Sequence, residues 1–148
     1  MTWKEGILQD LAFFQRGYDI TKKEQRPGPY PVVSSSGVKS FHSEFKVKGP
    51  GVVVGRKGTL GTVHYIESDF WPHDTSLWVR NFKGNFPRFV YYFIHTMAFE
   101  RFDVGGANPT LNRNHIHGLP IRFPDRATQN RIADILSAYD DLIENNNR

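Results

Sequence analysis

The sequence contains no cysteine and no long apolar run. Without thiols the chain can form neither disulfides nor thiolate metal sites, and this composition fits a reducing compartment. A transmembrane helix needs about 20 consecutive apolar residues, and no segment approaches that length. The opening residues, Met-Thr-Trp-Lys-Glu-Gly, do not begin a secretory signal peptide. We therefore expect a soluble cytoplasmic protein with no membrane segment.

The sequence also lacks a complete catalytic, metal or cofactor motif. Residues 115–117 form His-x-His without the His-Glu-x-x-His of zinc enzymes, and residues 73–74 form a His-Asp pair with no nucleophile. Residues 51–57 are one residue short of a phosphate-binding loop and lack its Ser or Thr after the lysine. The Asn-Pro-Thr at 108–110 lacks the second proline and the aromatic residue of adenine methyltransferases. The Glu-x-Lys at 44–46 has no upstream aspartate suited to a nuclease. We predict a protein without catalysis, bound metal or cofactor of its own.

Aromatic residues and an uneven charge distribution are the main compositional features. The 148 residues include 12 Phe, 6 Tyr and 3 Trp, which is enough apolar surface for one domain with a core. Residues 1–123 carry 16 Lys and Arg against 10 Asp and Glu, whereas residues 124–148 carry 3 against 5. A basic body with an acidic tail suggests a polyanionic partner, such as nucleic acid, for the body. The alternative is a solvated surface of mixed charge, because the sequence does not show whether the charges cluster.

The most informative stretch is a turn between two strands in the middle of the chain. An apolar strand at 52–54 leads into the turn, and a second strand at 62–66 leaves it. Glycines at 55, 58 and 61 allow the backbone to bend sharply and to come close to another group. The side chains between them are donors and candidates for DNA contact: Arg56, Lys57 and Thr59. The alternative is an ordinary solvated hairpin end.

Two polar loops supply further candidates for reading DNA. The first loop precedes a predicted strand at 76–80, and the second is the irregular region 105–118. Asn and Arg side chains read adenine and guanine edges in pairs, and loops on a rigid body are common sites of base contact. With Lys39 on a predicted strand at 38–45, the candidates are His73, Asp74, Thr75, Asn108, Thr110, Asn112 and Arg113. In the alternative interpretation, Asn108 and Thr110 only cap and turn the backbone.

The remaining pattern predicts an α+β fold: a strand-rich recognition domain with one packed helix, followed by a coiled-coil-type helix. Residues 3–14 indicate a short strand or turn and residues 16–30 a loop, with further strands at 30–33 and 119–123. A helix is predicted over 85–101, because apolar residues recur there on one helical face: Phe89, Val90, Phe93, Ile94 and Met97. We assign this face to the core, together with Trp71 and Trp78.

A second helix is predicted after Asp125, which can cap it. Apolar residues follow at a coiled-coil-like spacing: Ile132, Ile135, Leu136, Tyr139, Leu142 and Ile143. A helix over these last 24 residues would reach about 36 Å, farther than a small body can cover. We therefore divide the chain into a DNA-binding body at 1–123 and the start of a spacer or dimerisation helix at 124–148, with a partner helix on its apolar stripe. The alternative is a helix that folds back on its own domain.

Taken in order, several segments resemble the target recognition domain of the specificity subunit of Type I restriction-modification systems. They are Tyr30-Pro-Val-Val, Gly55-Arg-Lys-Gly-Thr-Leu-Gly, Trp71-Pro-His-Asp-Thr, Gly106-Ala-Asn-Pro-Thr-Leu-Asn, Leu119-Pro-Ile-Arg-Phe-Pro and Gln129-x-x-Ile. The tail from Ile132 to Ile143 is similar to the spacer helix of that family. One departure is Thr128, where the family usually has Glu, and this difference concerns helix capping.

The resemblance implies a non-catalytic subunit that reads double-stranded DNA. Such subunits carry two recognition domains joined by antiparallel helices, and each domain reads half of a bipartite site. They hold methyltransferase subunits, which use S-adenosylmethionine, and a restriction subunit can join them. One domain and one helix then imply a half-subunit that pairs with itself or a fragment of a longer chain, and the uncapped end at Arg148 favours a fragment. The rivals are a recognition domain of a fused restriction-methylation enzyme, a coiled-coil adaptor without a DNA role, and a small nuclease.

Overall fold

A four-stranded antiparallel sheet forms the centre of the computed structural model, which describes residues 2–103 and 109–146. Its strand order is β2 (Phe13–Arg16), β8 (Ser76–Asn81), β5 (Gly51–Gly55) and β6 (Val63–Ile66). Strand β5 is buried along its whole length, because each of its faces packs on a different cluster. Val52 and Val54 belong to the main core, whereas Val53 faces a second cluster with Val33, Phe70 and Trp78. The strands predicted at 52–54, 62–66 and 76–80 are confirmed.

Two smaller sheets flank the central one. Strand β3 (Tyr30–Ser34) pairs antiparallel with β4 (Gly37–His42) and parallel with the two-residue β7 (Trp71–Pro72). Strand β1 (Trp3–Ile7) pairs antiparallel with β9 (Pro120–Pro124), so the beginning of the described chain lies beside the strand before the last helix. The strands at 30–33 and 119–123 are confirmed to within one residue.

The helix predicted over 85–101 is present as α2, Pro87–Met97. Phe89, Val90 and Ile94 are buried in the main core, and Phe93 and Met97 pack against it, as the spacing predicts. The helix ends at Ala98, whose φ of +52° is left-handed, and a 3₁₀ helix, Phe99–Phe102, follows. The break in direction shortens α2 relative to the prediction.

Several elements differ from the sequence-based expectation. Strand β4 ends at His42 rather than at residue 45, because the 26–28 loop crosses there. The Arg26 backbone N–H donates to His42 Nδ1 at 3.0 Å, and the backbone of Gly28 lies directly against Ser43. Two four-residue helices, α1 (Leu8–Leu11) and α3 (Arg113–Ile116), and the two-residue β7 were not predicted. Elements this short do not complete a hydrophobic period.

The last helix, α4, runs from Arg126 to Asn146 and is fixed to the body at its first turn. Asp125 Oδ1 accepts from the Thr128 backbone N–H at 2.9 Å, and Asp125 Oδ2 accepts from that of Thr2 at 3.0 Å. Gln129, only 1% exposed, accepts from the Phe86 N–H and donates to the Pro124 carbonyl. The cap predicted at Asp125 is confirmed. No helix in the described ranges is long and apolar enough to cross a membrane.

Candidate nucleic-acid interface

The glycine-rich turn after β5 is held in a tight conformation that only glycine permits at two positions. A Cβ on Gly55 would collide with the Thr59 carbonyl oxygen, because the turn folds back over its own start. Gly61 has a φ of +80°, and a Cβ there would collide with the backbone nitrogen of Glu100 in the 3₁₀ helix. The predicted close approach is therefore made to the protein itself, and it gives the turn a rigid support.

Two segments that are distant in sequence, the 73–75 turn and residues 110–111, meet the glycine-rich turn at residues 56–57. The backbone N–H groups of Arg56 and Lys57 both donate to the Thr75 carbonyl, at 2.9 and 3.1 Å. On the other side, the Leu111 N–H donates to the Arg56 carbonyl at 2.7 Å, and Lys57 forms a β-bridge with Thr110. The two loops chosen from the sequence are thus brought together with the glycine-rich turn.

The side chain of Arg56 is used inside the protein. It is 9% exposed, and its Nε donates to the Asp74 carbonyl at 2.7 Å. Burial lowers the pKa of Arg56 from its ordinary value, and the charge of Arg16 lowers it further, whereas Asp74 opposes the shift. Arg56 therefore fastens the 73–75 turn to the glycine-rich turn, while its neighbour Lys57 is exposed.

Asn112 and Arg113 also have partners within the protein. Asn112 Oδ1 accepts from the Asn114 backbone N–H at 2.8 Å and so caps α3. Arg113 Nη1 donates to the Phe14 carbonyl at 3.2 Å, and its guanidinium lies 5.6 Å from the Phe13 ring centre. Asn112 is thus the N-cap of α3, a role that the sequence did not predict for it. Asn108 lies outside the described residues.

Five of the predicted candidates line one groove of about 930 Å³, which we call the large groove: Lys39, Lys57, His73, Asp74 and Thr75. Its other walls include the Ser34–Ser36 turn between β3 and β4, together with Lys22, Gln25 and Ser40. Arg56, Thr110, Asn112 and Arg113 line a second groove of about 310 Å³, and Thr59 is exposed outside the lining of both. Lys22 and Gln25 were missed because they lie in an aperiodic loop whose sequence carries no motif.

The floor of the large groove is organised by hydrogen bonds around Thr75. Its Oγ1 accepts from the Ser35 backbone N–H at 3.2 Å and lies 3.0 Å from His73 Nδ1. Asp74 pairs with Arg16 at 3.4 Å and with His73 Nδ1 at 3.0 Å. The 73–75 turn therefore links the β3–β4 turn to the glycine-rich turn. The groove has a defined shape before any ligand enters.

Asp19, His73 and Asp74 place one ligand atom each within 4.8 Å of one another. This arrangement is the sort that can hold a metal ion, and among residues 2–103 and 109–146 it is the one such group of His and acidic side chains. The Arg16 guanidinium already pairs with Asp74, which supplies the cluster with a positive charge. The cluster was not predicted as a metal site, because Asp19 is far from the His-Asp pair in sequence.

The whole chain, residues 1–148, matches the model of one protein family, described as the Type I restriction modification DNA specificity domain. This chain belongs to that family. The match confirms the resemblance seen in the motif order from Tyr30 to Gln129. The specificity family is non-catalytic. The departure at Thr128 does not affect the assignment.

Related proteins and structures agree with this specificity-domain assignment. A Mycoplasma pneumoniae protein named as a type I specificity subunit is 27% identical over 143 residues, covering 91% of this chain and 39% of that protein. The S subunit of a Type I system from M. genitalium superposes with a TM-score of 0.81 at 19% identity, covering 97% of this chain and 40% of that one. The HsdS subunit from Thermoanaerobacter tengcongensis gives a TM-score of 0.71 at 12% identity, with 96% and 38% coverage. The chain thus spans about two fifths of the length of these relatives.

Proposed function

We propose that this specificity domain reads one half of a bipartite double-stranded DNA site for a Type I restriction-modification complex in the cytoplasm. The convergence of the β3–β4 turn, the glycine-rich turn and the 73–75 turn on the large groove carries the proposal. Lys39 and Lys57 supply exposed positive charge at this groove, and the 73–75 turn supplies polar groups in its lining. In this arrangement the lysines contact phosphates and the polar groups face base edges, which separates positioning from readout.

The domain also requires partners, because it has no catalytic role of its own. We propose that the complete protein docks methyltransferase subunits, which bring S-adenosylmethionine, and that a restriction subunit joins the assembly. The body at 1–123 would carry the DNA specificity, and the helix from 124 onward would meet the helix of a second recognition half or of a second copy. The exposed apolar residues of α4 favour this arrangement: Ile135, Leu136, Tyr139, Leu142 and Ile143.

A methylome experiment tests the proposal. The full natural polypeptide that contains this chain is expressed with its methyltransferase partner in a host that lacks the system, and modified bases are mapped by sequencing. We expect one bipartite motif to be modified. Transplanting residues 1–123 into a related specificity subunit should move one half of that motif and leave the other half unchanged. Methylation without a fixed motif, or a transplant that leaves the recipient's motif intact, would contradict the proposal.

A further inference from the structure

One wall of the large groove contains a glutamine held by a serine. Ser40 Oγ, on β4, donates to Gln25 Oε1 at 2.5 Å. Both residues line the groove and both are half-buried, whereas Lys39 and Lys57, which also line it, are exposed. An amide side chain thus lines the same groove as the two lysines that we propose to contact phosphates.

The loop that carries Gln25 is itself held in place. At its start, the backbone N–H and the Oγ1 of Thr21 both donate to Glu24 Oε1, at 3.1 and 2.9 Å. After Gln25, the Arg26 backbone N–H donates to the buried His42 ring at 3.0 Å, which ties the loop to the end of β4. The position of Gln25 is therefore determined by the loop, and its amide orientation by Ser40. A side chain ordered in advance loses little rotamer entropy when it binds.

The hydrogen bond from Ser40 gives the oxygen and the nitrogen of the Gln25 amide different surroundings. The oxygen accepts from Ser40, while the Nε2 group makes no hydrogen bond to any residue in the described ranges. An amide nitrogen presents two donors. In the DNA major groove the matching acceptors are purine N7, guanine O6 and thymine O4. A donor that is fixed in orientation discriminates between base pairs, whereas a lysine ammonium on a flexible stem does not.

We propose that Gln25 is a specificity-determining residue that donates to an acceptor on one base edge, and that Ser40 positions it. This inference rests on the proposed function, because it assigns a reading side chain to the same groove. It also shifts base reading away from Asn112 and Arg113, whose side chains are occupied by the α3 cap and by the Phe14 carbonyl. The cation that holds this wall on the DNA would be Lys39, the strand neighbour of Ser40.

The test uses the complete protein assembled with its methyltransferase partner, and it measures modification of every single-base variant of the motif. We expect Gln25→Ala to reduce discrimination at one base pair about tenfold or more while all other positions keep their preference. Ser40→Ala should relax the same base pair, about threefold, and Ser40→Thr should restore it because the hydroxyl is retained. The double variant should be no worse than Gln25→Ala alone, since Ser40 acts through Gln25.

Two further variants keep the test decisive. Gln25→Glu retains the acceptor for Ser40 but removes the donors, so it should change the preferred base at that position rather than unfold the loop. Gln9→Ala, on α1 and outside the groove lining, is the matched control and should leave the motif unchanged.

A wild-type motif that Gln25→Ala and Gln25→Glu both leave unchanged would overturn this inference and leave the proposed function standing. Equal loss of modification at all sequences, with no change in base preference, would also overturn it, because that result assigns Gln25 to backbone contact. If the wild-type complex modifies DNA without a fixed motif, the proposed function and this inference both fail.

Discussion

Arg56 and Lys57 are adjacent cations in the glycine-rich turn with different surroundings. The Arg56 side chain is buried and donates to the Asp74 carbonyl, whereas Lys57 is exposed and lines the large groove. A phosphate contact releases counterions and therefore adds to the dependence of binding on salt. The two residues should consequently affect different measurements.

We expect Lys57→Ala to weaken binding to all DNA sequences alike, to reduce the slope of log affinity against log salt by about 1, and to leave unfolding unchanged. Arg56→Ala should instead lower the free energy of unfolding by about 1–3 kcal/mol, because it removes a buried side chain and its hydrogen bond to the Asp74 carbonyl. Salt titrations of DNA binding and denaturant unfolding of each variant provide the comparison. An Arg56→Ala protein with wild-type stability and a reduced salt slope would reverse these roles.

Two glycines allow the cost of a left-handed backbone to be measured separately from the cost of a steric collision. Gly61 and Gly84 have nearly equal positive φ, +80° and +78°, but a Cβ on Gly61 would meet Glu100, whereas one on Gly84 has nothing within 4 Å. We expect Gly84→Ala to cost about 1–2 kcal/mol from the left-handed backbone alone. Gly61→Ala should cost a further 1–3 kcal/mol from overpacking. Chemical denaturation measures both, and equal costs would show that the 3₁₀ helix yields to the added methyl group.

At the scale of single elements, the first turn of α4 depends on one carboxylate. The pKa of Asp125 is lowered from 3.8 to about 2, because its carboxylate accepts backbone hydrogen bonds from Thr128 and Thr2. A lowered pKa means that the folded state favours the charged form. The stabilisation from this cap is therefore fully present above about pH 4 and is lost as the pH falls toward 2.

We predict that Asp125→Asn, which keeps a capping oxygen but does not titrate, changes the pH dependence of unfolding. Wild type should be more stable than Asp125→Asn at pH 6, because a carboxylate favours the helix N-terminus more than an amide does. The difference should shrink as the pH falls from about 4 to 2. Urea unfolding across this range measures it, and a difference that stays constant with pH would show that the Asp125 charge does not stabilise the cap.

Helix α4 carries two distinct faces. Gln129, Ala133 and Asp140 lie toward the body, where Asp140 Oδ2 accepts from the Tyr92 hydroxyl at 2.5 Å. At about 100° per residue, the row formed by Ile135, Tyr139 and Leu142 lies roughly a third of a turn away. Those three side chains are 56–63% exposed. Ile132, predicted as part of the same stripe, instead packs against the main core.

At the scale of the whole molecule, the exposed row on α4 predicts a partner helix. Apolar surface in water is unfavourable by roughly 25 cal/mol per Å², and a helix from a second half or a second copy can cover it. We expect the 148-residue chain to self-associate with increasing concentration in sedimentation experiments. Ile135→Asp combined with Leu142→Asp should give a monomer with unchanged unfolding of the body.

The matched control is Ala127→Asp with Ala138→Asp, which adds the same charge at exposed positions on another side of α4. The control should associate like the wild-type chain. A wild-type chain that stays monomeric at high concentration would show that a second copy does not cover the row and that the other half of the subunit is needed.

Local sequence patterns marked the longer elements of this protein. A short apolar run before a glycine-rich turn marked the strand at 52–54, recurrence on one face marked α2, and Asp125 before an apolar stripe marked α4. These signals work because burial on one face leaves a local record in the sequence. The order of motifs determined the family, since that order is more specific than any one motif.

Tertiary structure alone decided which polar side chains face outward. Arg56 and Lys57 look alike in sequence, yet Arg56 is buried and donates to a carbonyl 18 residues away, whereas Lys57 is exposed. The side chain of Asn112 caps α3, and that of Arg113 donates to the Phe14 carbonyl. Gln25 lines the large groove and accepts a hydrogen bond from Ser40, 15 residues later in the chain. Loop side chains take their partners from segments that meet only after the sheets have paired, so their roles have no local record. The sequence by itself therefore determined the fold class and the family, and long-range packing decided the composition of the candidate interface.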